Sequence, residues 1–372
     1  MQRRLDALIG IPLLKILSGL PSRPPASRDI SSLLVIKLAA VGDTIVLIPA
    51  LRALRRALPH ARITWLVSNT NRAIAATVPY VDDLVVWNGA AASLPGMIAA
   101  LRRRHFSAVI DFEQWARGSA LLAFASGAPI RIGFDTPGQH RAGIFTATFK
   151  KTFEQHELDD FLSLAERLVP VEHDRTLELW ETAAGQAELP RPLSFPGTQS
   201  EQFSVLIHPG CGADGIPREW PIPRYAVFAH WLMKNYGADI YVSGGPEETR
   251  KTRELTALLG NKATDLGGRL SWPGLLSLVK KMDLIVSGNT GVMHVAAAFR
   301  RPQVALHGPT NPAIWGPVND LARVVSSDCP ECPCLRLGFE YHRRDASCME
   351  RISIDAVKAA ALSLLSLTAP SR

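Results

Sequence analysis

The sequence contains no run of roughly 20 consecutive apolar residues, so no segment of it reads as a membrane-spanning helix. It has no internal repeat, no long low-complexity tract and no recognisable DNA- or RNA-binding module. Its basic residues are dispersed through amphipathic segments, which argues against nucleic acid as a partner. Cysteine is scarce. The five lie at 211, 329, 332, 334 and 348, an odd number crowded toward one end and unlike a secreted disulfide framework. Cys329, Cys332, Cys334 and Cys348 could share a zinc ion, because thiolates at C-x-x-C spacing can converge on one tetrahedral metal. The run C-x-x-C-x-C is not a regular knuckle pair, however, so the expectation is reduced structural thiols and no metal.

What is present describes a globular enzyme-sized chain. At 372 residues it exceeds what one core usually supports, which implies about two domains. A hydrophobic fraction of 47% with 20% charged residues is ordinary for a folded protein, and 27 Gly with 27 Pro spread along the chain supply many turns. The net charge of +7 favours anionic partners: nucleotides, phosphorylated glycolipids or a membrane surface. The first thirty residues differ in character. Leu5, Leu8, Ile9, Leu13, Ile16, Leu17 and Leu20 recur at helical spacing, with Arg3, Arg4 and Lys15 between them. Lys15 breaks the apolar region and no small-x-small cleavage site follows, so a signal peptide fits poorly. Two readings stay open, an interfacial helix on an anionic membrane and a helix docked on the protein's own surface. The Pro-rich stretch from Pro21 to Pro25 is a linker under both.

In the N-terminal half, the short β-branched run Leu33-Leu34-Val35-Ile36 suits a strand buried on both faces of a parallel sheet. It leads through Gly42 and Asp43 into a helix carrying Leu47, Leu51, Leu54 and Leu58, then into the strand Ile63 to Val67. This is a βαβ unit, and the alternation continues through a strand ending at Asp111, giving a doubly wound α/β domain. Ligands of such domains bind at the carboxyl ends of the strands, where Gly42, Asp43 and Asp111 lie. This half has neither a G-x-G-x-x-G nor a P-loop, so it shows no standard dinucleotide or nucleoside-triphosphate site. Asp43 has two readings: a helix N-cap, and a carboxylate at a cleft mouth that takes a proton from an incoming hydroxyl.

A second α/β pattern starts near Phe203. The strand Phe203 to Ile207 runs into a loop with Gly210, Gly212 and Gly215, three glycines in six residues, followed by Arg218. Backbone N–H groups in such a loop approach an oxyanion closely and the guanidinium adds a fixed cation, a combination that suits phosphate. Glu247, just beyond the strand Asp239 to Val242, has two compatible readings: a carboxylate that can accept hydrogen bonds from ribose hydroxyls, and a first-turn acid that complements a helix macrodipole. The strand Leu284 to Val286 opens through Asn289, Thr290 and Gly291 into a small-residue helix with Val292 and His294 in its first turn, an anion site of the kind that holds pyrophosphate.

These residues resemble glycosyltransferase family 9, the heptosyltransferases of lipopolysaccharide core assembly, over roughly residues 31 to 355. The carriers are Val35-Ile36-Lys37-Leu38 with Gly42-Asp43, Pro49 to Leu54, Ile110-Asp111, Gly127-Ala128-Pro129 with Arg131 to Phe134, His208-Pro209-Gly210, Arg218 with Trp220-Pro221, Gly244 to Glu247, Thr290-Gly291 with Met293-His294, and Cys348-Met349. The resemblance implies a GT-B α/β fold, two Rossmann-like doubly wound domains facing across a cleft. The domains expected are an amphipathic extension and linker at 1–30, an acceptor domain at 31–195, a nucleotide-sugar domain at 201–348, and a C-terminal helix at 349–372 crossing back toward the first domain. It also implies an inverting, metal-independent transfer, in agreement with the lack of a D-x-D motif, and no cofactor.

By that resemblance the donor is a nucleotide-diphosphate sugar, ADP-heptose in known members, and the acceptor a lipid-linked anionic sugar. The protein is then cytoplasmic and peripheral at the inner-leaflet membrane surface. Asp43 matches the general base, Arg218 the donor-phosphate contact, Glu247 the ribose or adenine contact, and Gly210, Gly212, Asn289, Thr290, Gly291, Val292 and His294 line the donor site. Arg117, Arg131 and His156 are candidates for holding the anionic acceptor. The chain departs from the family at Asn289, where Asp-Thr-Gly or Asp-Ser-Gly is common. The alternatives are another GT-B nucleotide-sugar enzyme, such as a different sugar transferase or an epimerase, and a non-catalytic nucleotide-sugar-binding protein, against which the presence of both Asp43 and Arg218 argues.

Overall fold

The computed structural model describes residues 2–19, 29–190, 203–212, 215–337, 340–341 and 347–368. Its backbone divides into two compact units, Met1–Arg175 and Thr176–Arg372. The first unit is built on a six-stranded parallel sheet of β1 (Ser32–Ile36), β2 (Arg62–Val67), β3 (Asp83–Val86), β4 (Ala108–Asp111), β5 (Ile130–Asp135) and β6 (Ala147–Lys150), in the order β3-β2-β1-β4-β5-β6. Leu33, Leu34, Val35 and Ile36 are fully buried, as the continuous apolar run predicts for a central parallel strand. Ile36 stands opposite Leu66 on one side and Asp111 on the other.

The second unit repeats the arrangement with β7 (Ser204–His208), β8 (Asp239–Gly244), β9 (Ala263–Gly267), β10 (Leu284–Gly288), β11 (Gln303–His307) and β12 (Ala322–Ser326), in the order β12-β11-β10-β7-β8-β9. Counted from its own first strand, this is the order of the first sheet. The strand order therefore reverses between β1 and β4 in one unit and between β7 and β10 in the other, and in open parallel sheets ligands bind outside the strand ends at such a reversal.

The unit boundary falls before the expected residue 195. The short helix Ala183–Ala187 packs against the helix Trp272–Lys281, and Glu188 accepts from the N–H and hydroxyl of Ser271, so this segment belongs to the second unit. The expected C-terminal helix forms as Ile354–Thr368, and Val357, Ala361 and Leu364 join the second unit's core with Val304, Leu306 and Val325. Residues 191–202, which include the gap between the two expected domains, and the Pro-rich stretch from Pro21 to Pro25 lie outside the described residues.

At the other end, the helix Gln2–Ser18 docks on the helix Arg117–Ala125. Leu14 is buried in the first unit's core, and the Asp6 carboxylate accepts from the backbone N–H of Arg117 and Gly118 and from the Arg117 guanidinium. Gly10 lies so close to Arg117 that a Cβ there would meet the Arg117 Cβ at 2.7 Å. Leu8, Ile9, Leu13 and Ile16 point the other way, with Leu8 73% and Ile16 69% exposed.

In the second unit Trp220 is the largest side chain of the core. It stands edge-on to Tyr225, ring centroids 4.9 Å apart, and its indole N–H donates to the Ile352 carbonyl at 2.9 Å. Trp220→Ala should cost about 3–5 kcal/mol in a denaturant titration. Trp220→Phe, which keeps a ring and drops the N–H, should cost markedly less; equal costs would mean that packing around the ring contributes little.

Candidate active site

In the first unit the polar residues gather where β1 and β4 end. The helix Val41–Ala57 begins one residue after Ala40, which occupies its N-cap position, so Asp43 sits inside the first turn and does not cap it. Its carboxylate instead accepts from the Lys37 ammonium at 2.9 Å. Lys37 is 1% exposed and reaches Glu113 as well, at 3.4 Å. Burial alone would lower the Lys37 amine, but Asp43 and Glu113 outweigh it and hold the amine above its ordinary value. Glu113 uses its other oxygen to accept the N–H groups of Leu38 and Ala39, at 2.6 and 3.0 Å, which fixes the loop leading to Asp43. The Asp43 side chain keeps 22% of its surface open.

Asp111 ends β4 as expected but turns inward. It pairs with the fully buried Arg141, accepts the Ser119 hydroxyl at 2.8 Å and the Glu113 N–H at 3.0 Å, and so anchors the strand-end loop. Behind it Lys151 pairs with Glu157 and Asp160, all three buried, and burial pushes Glu157 up to about 7. The three acceptor candidates are engaged by the fold. Arg117 holds Asp6, Arg131 donates to the carbonyls of Ile144 and Ala128, and His156 caps the helix Glu157–Glu166 by accepting the Leu158 N–H.

In the second unit the candidate donor residues meet where β7 and β10 end. Gly210, Gly212 and Gly215 fall at G-x-G-x-x-G spacing after β7, but a 3-10 turn, Ile216–Arg218, separates them from the helix Ile222–Tyr236. Gly212 needs its φ of +75°. Gly210 needs its missing side chain, because a Cβ there would run into the carboxylate of Glu248. That carboxylate accepts the N–H of Gly212 at 2.8 Å and of Gly245 at 2.7 Å, and lies 3.7 Å from the His208 ring. Burial opposes ionisation of Glu248, but His208 and the two N–H groups outweigh it and hold the carboxyl below its usual range. Glu247, its neighbour, is exposed on the turn Pro246–Glu248.

Arg218 ties the strand-end loops together. It donates to the carbonyls of Asn289 and Cys211, both at 3.2 Å, and its Nε has no hydrogen-bond partner among the described residues. Thr290 caps the helix Gly291–Ala298 by accepting the Val292 N–H at 3.1 Å, and His294 is buried one turn on. Asn289 donates its amide to the Trp315 carbonyl at 3.2 Å. A carboxylate could not make that bond, so the amide holds the segment after β11 in place where the family's common Asp would need another arrangement. Burial pushes the Cys211 thiol up to about 12, which leaves it unreactive.

Sequence reasoning missed Lys37, Glu113, Arg141 and Glu248. It also passed over His307 at the end of β11, which is fully buried and bonds through Nδ1 to the Thr310 hydroxyl at 2.9 Å. Burial lowers this imidazole from 6.5 to about 4. The unfolded chain takes up that proton first, so the contribution of neutral His307 should be complete above about pH 6.5 and fall away toward pH 4, by at most about 1.4 kcal/mol per pH unit. His307→Gln should flatten this part of the stability profile; unfolding titrations giving the same pH slope for both proteins would remove His307 as its source.

The comparisons with known proteins bear on this arrangement. The family model for Glycosyltransferase family 9 (heptosyltransferase) matches residues 96–342. The lipopolysaccharide core heptosyltransferase OpsX of Haemophilus influenzae is 25% identical over 306 residues, covering 79% of this chain and 84% of its own length. Lipopolysaccharide heptosyltransferase 2 of Escherichia coli is 27% identical over 323 residues, covering 79% and 87%. The solved structure of the E. coli ADP-heptose lipopolysaccharide heptosyltransferase II superposes with a TM-score of 0.71 at 22% identity, over 90% of this chain and 99% of that one, which gives the α/β fold as GT-B. With well over half of its length inside the family model, this chain belongs to glycosyltransferase family 9 and is a glycosyltransferase.

Proposed function

We propose that this glycosyltransferase moves a heptose from ADP-heptose to a sugar of the lipopolysaccharide core or a related anionic glycolipid, with inversion at the anomeric carbon and without a catalytic metal. The observation that carries the reading is Asp43, a partly open carboxylate held in place by a buried lysine at the strand-order reversal of the first unit. Asp43 takes the proton of the acceptor hydroxyl. The oxygen attacks the anomeric carbon, the bond to the diphosphate breaks on the opposite face, and ADP leaves. Lys37 positions Asp43 and does not itself touch the reacting atoms.

The donor is assigned to the second unit. Arg218 and the N–H groups at the start of the helix Gly291–Ala298 stabilise charge growing on the departing diphosphate, an effect worth roughly a few kcal/mol. Gly210 and Gly212 let the loop backbone come close, and exposed Glu247 is free to reach the ribose or base. ADP-heptose as the donor rests on the name of the solved E. coli relative. Asp43→Asn should keep donor binding and lower transfer by about 10²–10⁴-fold, whereas Arg218→Ala should weaken donor binding. Calorimetry with ADP-, GDP- and UDP-sugars, followed by turnover with no added divalent cation and NMR of the product anomer, checks both. Transfer by Asp43→Asn at the wild-type rate would return Asp43 to a structural part.

The acceptor is lipid-linked, and we place the protein at the cytoplasmic face of the inner membrane, with nucleic acid not a partner. Among the described residues no helix is long and apolar enough to cross a bilayer. The helix Gln2–Ser18 supports peripheral binding, because it docks through Leu14 and Asp6 and still turns Leu8, Ile9, Leu13 and Ile16 outward, with Lys15 on the same helix. On this proposal the two readings of the segment fall to different faces of one helix. Co-sedimentation should show binding to vesicles containing phosphatidylglycerol. The pair Leu8→Asp and Ile16→Asp should weaken it by at least on the order of tenfold; undiminished binding would exclude this face.

A further inference from the structure

Two clusters of reactive or ionisable side chains have no part in the transfer described above. In the second unit Cys332 and Cys348 form a disulfide, where the sequence reads as reduced thiols, and Cys329 and Cys334 pack beside it. In the first unit Lys151, Glu157 and Asp160 are buried together. We propose that Glu157 is a positioning residue of the transfer step, closing a buried ring of contacts around Asp43 and favouring the arrival of the acceptor's proton there. This rests on the reading of Asp43 as the base.

The ring joins four parts of the chain. Glu113 and Gln114 are neighbours in the loop after β4. The Glu113 carboxylate holds the segment before Asp43, through the N–H groups of Leu38 and Ala39 and the Lys37 ammonium. The Gln114 amide donates to Glu157, the first residue of the helix Glu157–Glu166. That helix packs on the helix Val41–Ala57, whose first turn carries Asp43, and Asp43 returns to Lys37. Phe161, one turn on from Glu157, sets its ring 5.6 Å from the Lys37 ammonium. Residues four apart share a helix face, so Glu157 stands on the side turned to Lys37.

The cluster is rich in acid. Lys37 and Lys151 are its two ammoniums, and Asp43, Glu113, Glu157 and Asp160 its four carboxylates. Lys151 is shared between Glu157 and Asp160, and Gln155 donates to Asp160 at 2.6 Å. From β5, Phe134 meets Phe161 and adds no charge. The charges bearing on Glu157 are thus Lys151 and Asp160 beside it, Asp43 on the neighbouring helix and Lys37 just after β1. Burial, helped by Asp160 and Asp43, outweighs Lys151 and pushes Glu157 up to about 7. A proton arriving on Asp43 removes one negative charge from this cluster, and the gain is largest while Glu157 is ionised. A purely structural Glu157 would hold Lys151 and leave the transfer step indifferent to its charge.

Single-turnover transfer from ADP-heptose to deacylated lipopolysaccharide core oligosaccharide, followed on both sides of neutral pH, tests the role. The wild-type rate should rise as pH passes through about 7. Glu157→Gln, nearly isosteric but uncharged, should lose that inflection and transfer about tenfold more slowly above it, with donor binding unchanged. Glu157→Asp, which restores the charge, should recover the inflection. Infrared difference spectra over the same range read the carboxyl without turnover. A buried acid band should vanish with rising pH in the wild type, be absent from Glu157→Gln, and titrate at lower pH in Asp43→Asn, where a neighbouring negative charge has gone. Where Glu157→Gln fails to fold, the wild-type rate profile and the Asp43→Asn band decide. The inference is overturned by a wild-type rate that is flat across neutrality, by an inflection that Glu157→Gln retains, or by an acid band that Asp43→Asn leaves in place. Asp43→Asn transferring at the wild-type rate would instead overturn the reading of Asp43 as the base. If Asp43→Asn is slow and Glu157→Gln behaves as the wild type, only the role of Glu157 falls.

Discussion

A strand buried on both faces has no side chain to spare for polar work. In this chain the central residues of β1, β7 and β10 are buried and apolar, so the charged groups gather where such strands end. The reversal of strand order opens space at two of those ends, beside β1 and beside β7. Lys37, Asp43 and Glu113 occupy the first, and Arg218, Glu248 and Asn289 the second. The candidate residues of both units are consequences of one topological rule applied twice.

Placing charges at these ends has a cost, and the two units meet it differently. The first uses ions against ions: a buried ammonium is balanced by two carboxylates, one of which is also hydrogen-bonded to backbone. Removing one partner from such a set is far more destabilising than its net contribution suggests, since the others remain buried and unpaired. The second unit uses backbone. Glu248 is held by His208 and by two loop N–H groups, and Arg218 spends two of its donors on loop carbonyls. Its loops are thus tied to one another through charged side chains bonded to backbone.

Much of this was legible in the sequence. The buried strands, the Gly-rich loops and the positions of Asp43 and Arg218 all follow from short-range patterns that survive folding unchanged. What was not legible depends on partners far away in the chain. Lys37 meets Glu113 across 76 residues, and Arg117 meets Asp6 across 111. The helix-cap reading of Asp43 stayed open because helix starts are uncertain by a residue or two from sequence, and the true start leaves Asp43 inside the first turn. Glu247 and Glu248 are indistinguishable as letters; the turn at Pro246 exposes one and buries the other.

The close approach of Gly210 to Glu248 has an evolutionary side. The two positions belong to different strand-end loops, yet the space for a methyl group at the first is filled by the carboxylate of the second. A side chain at 210 is tolerable only after 248 has been shortened, and shortening 248 alone strips the Gly212 and Gly245 N–H groups of their acceptor. Drift at either site is therefore fenced in by the other, an epistatic lock that holds the shape of the loop while the residues around it are free to diverge.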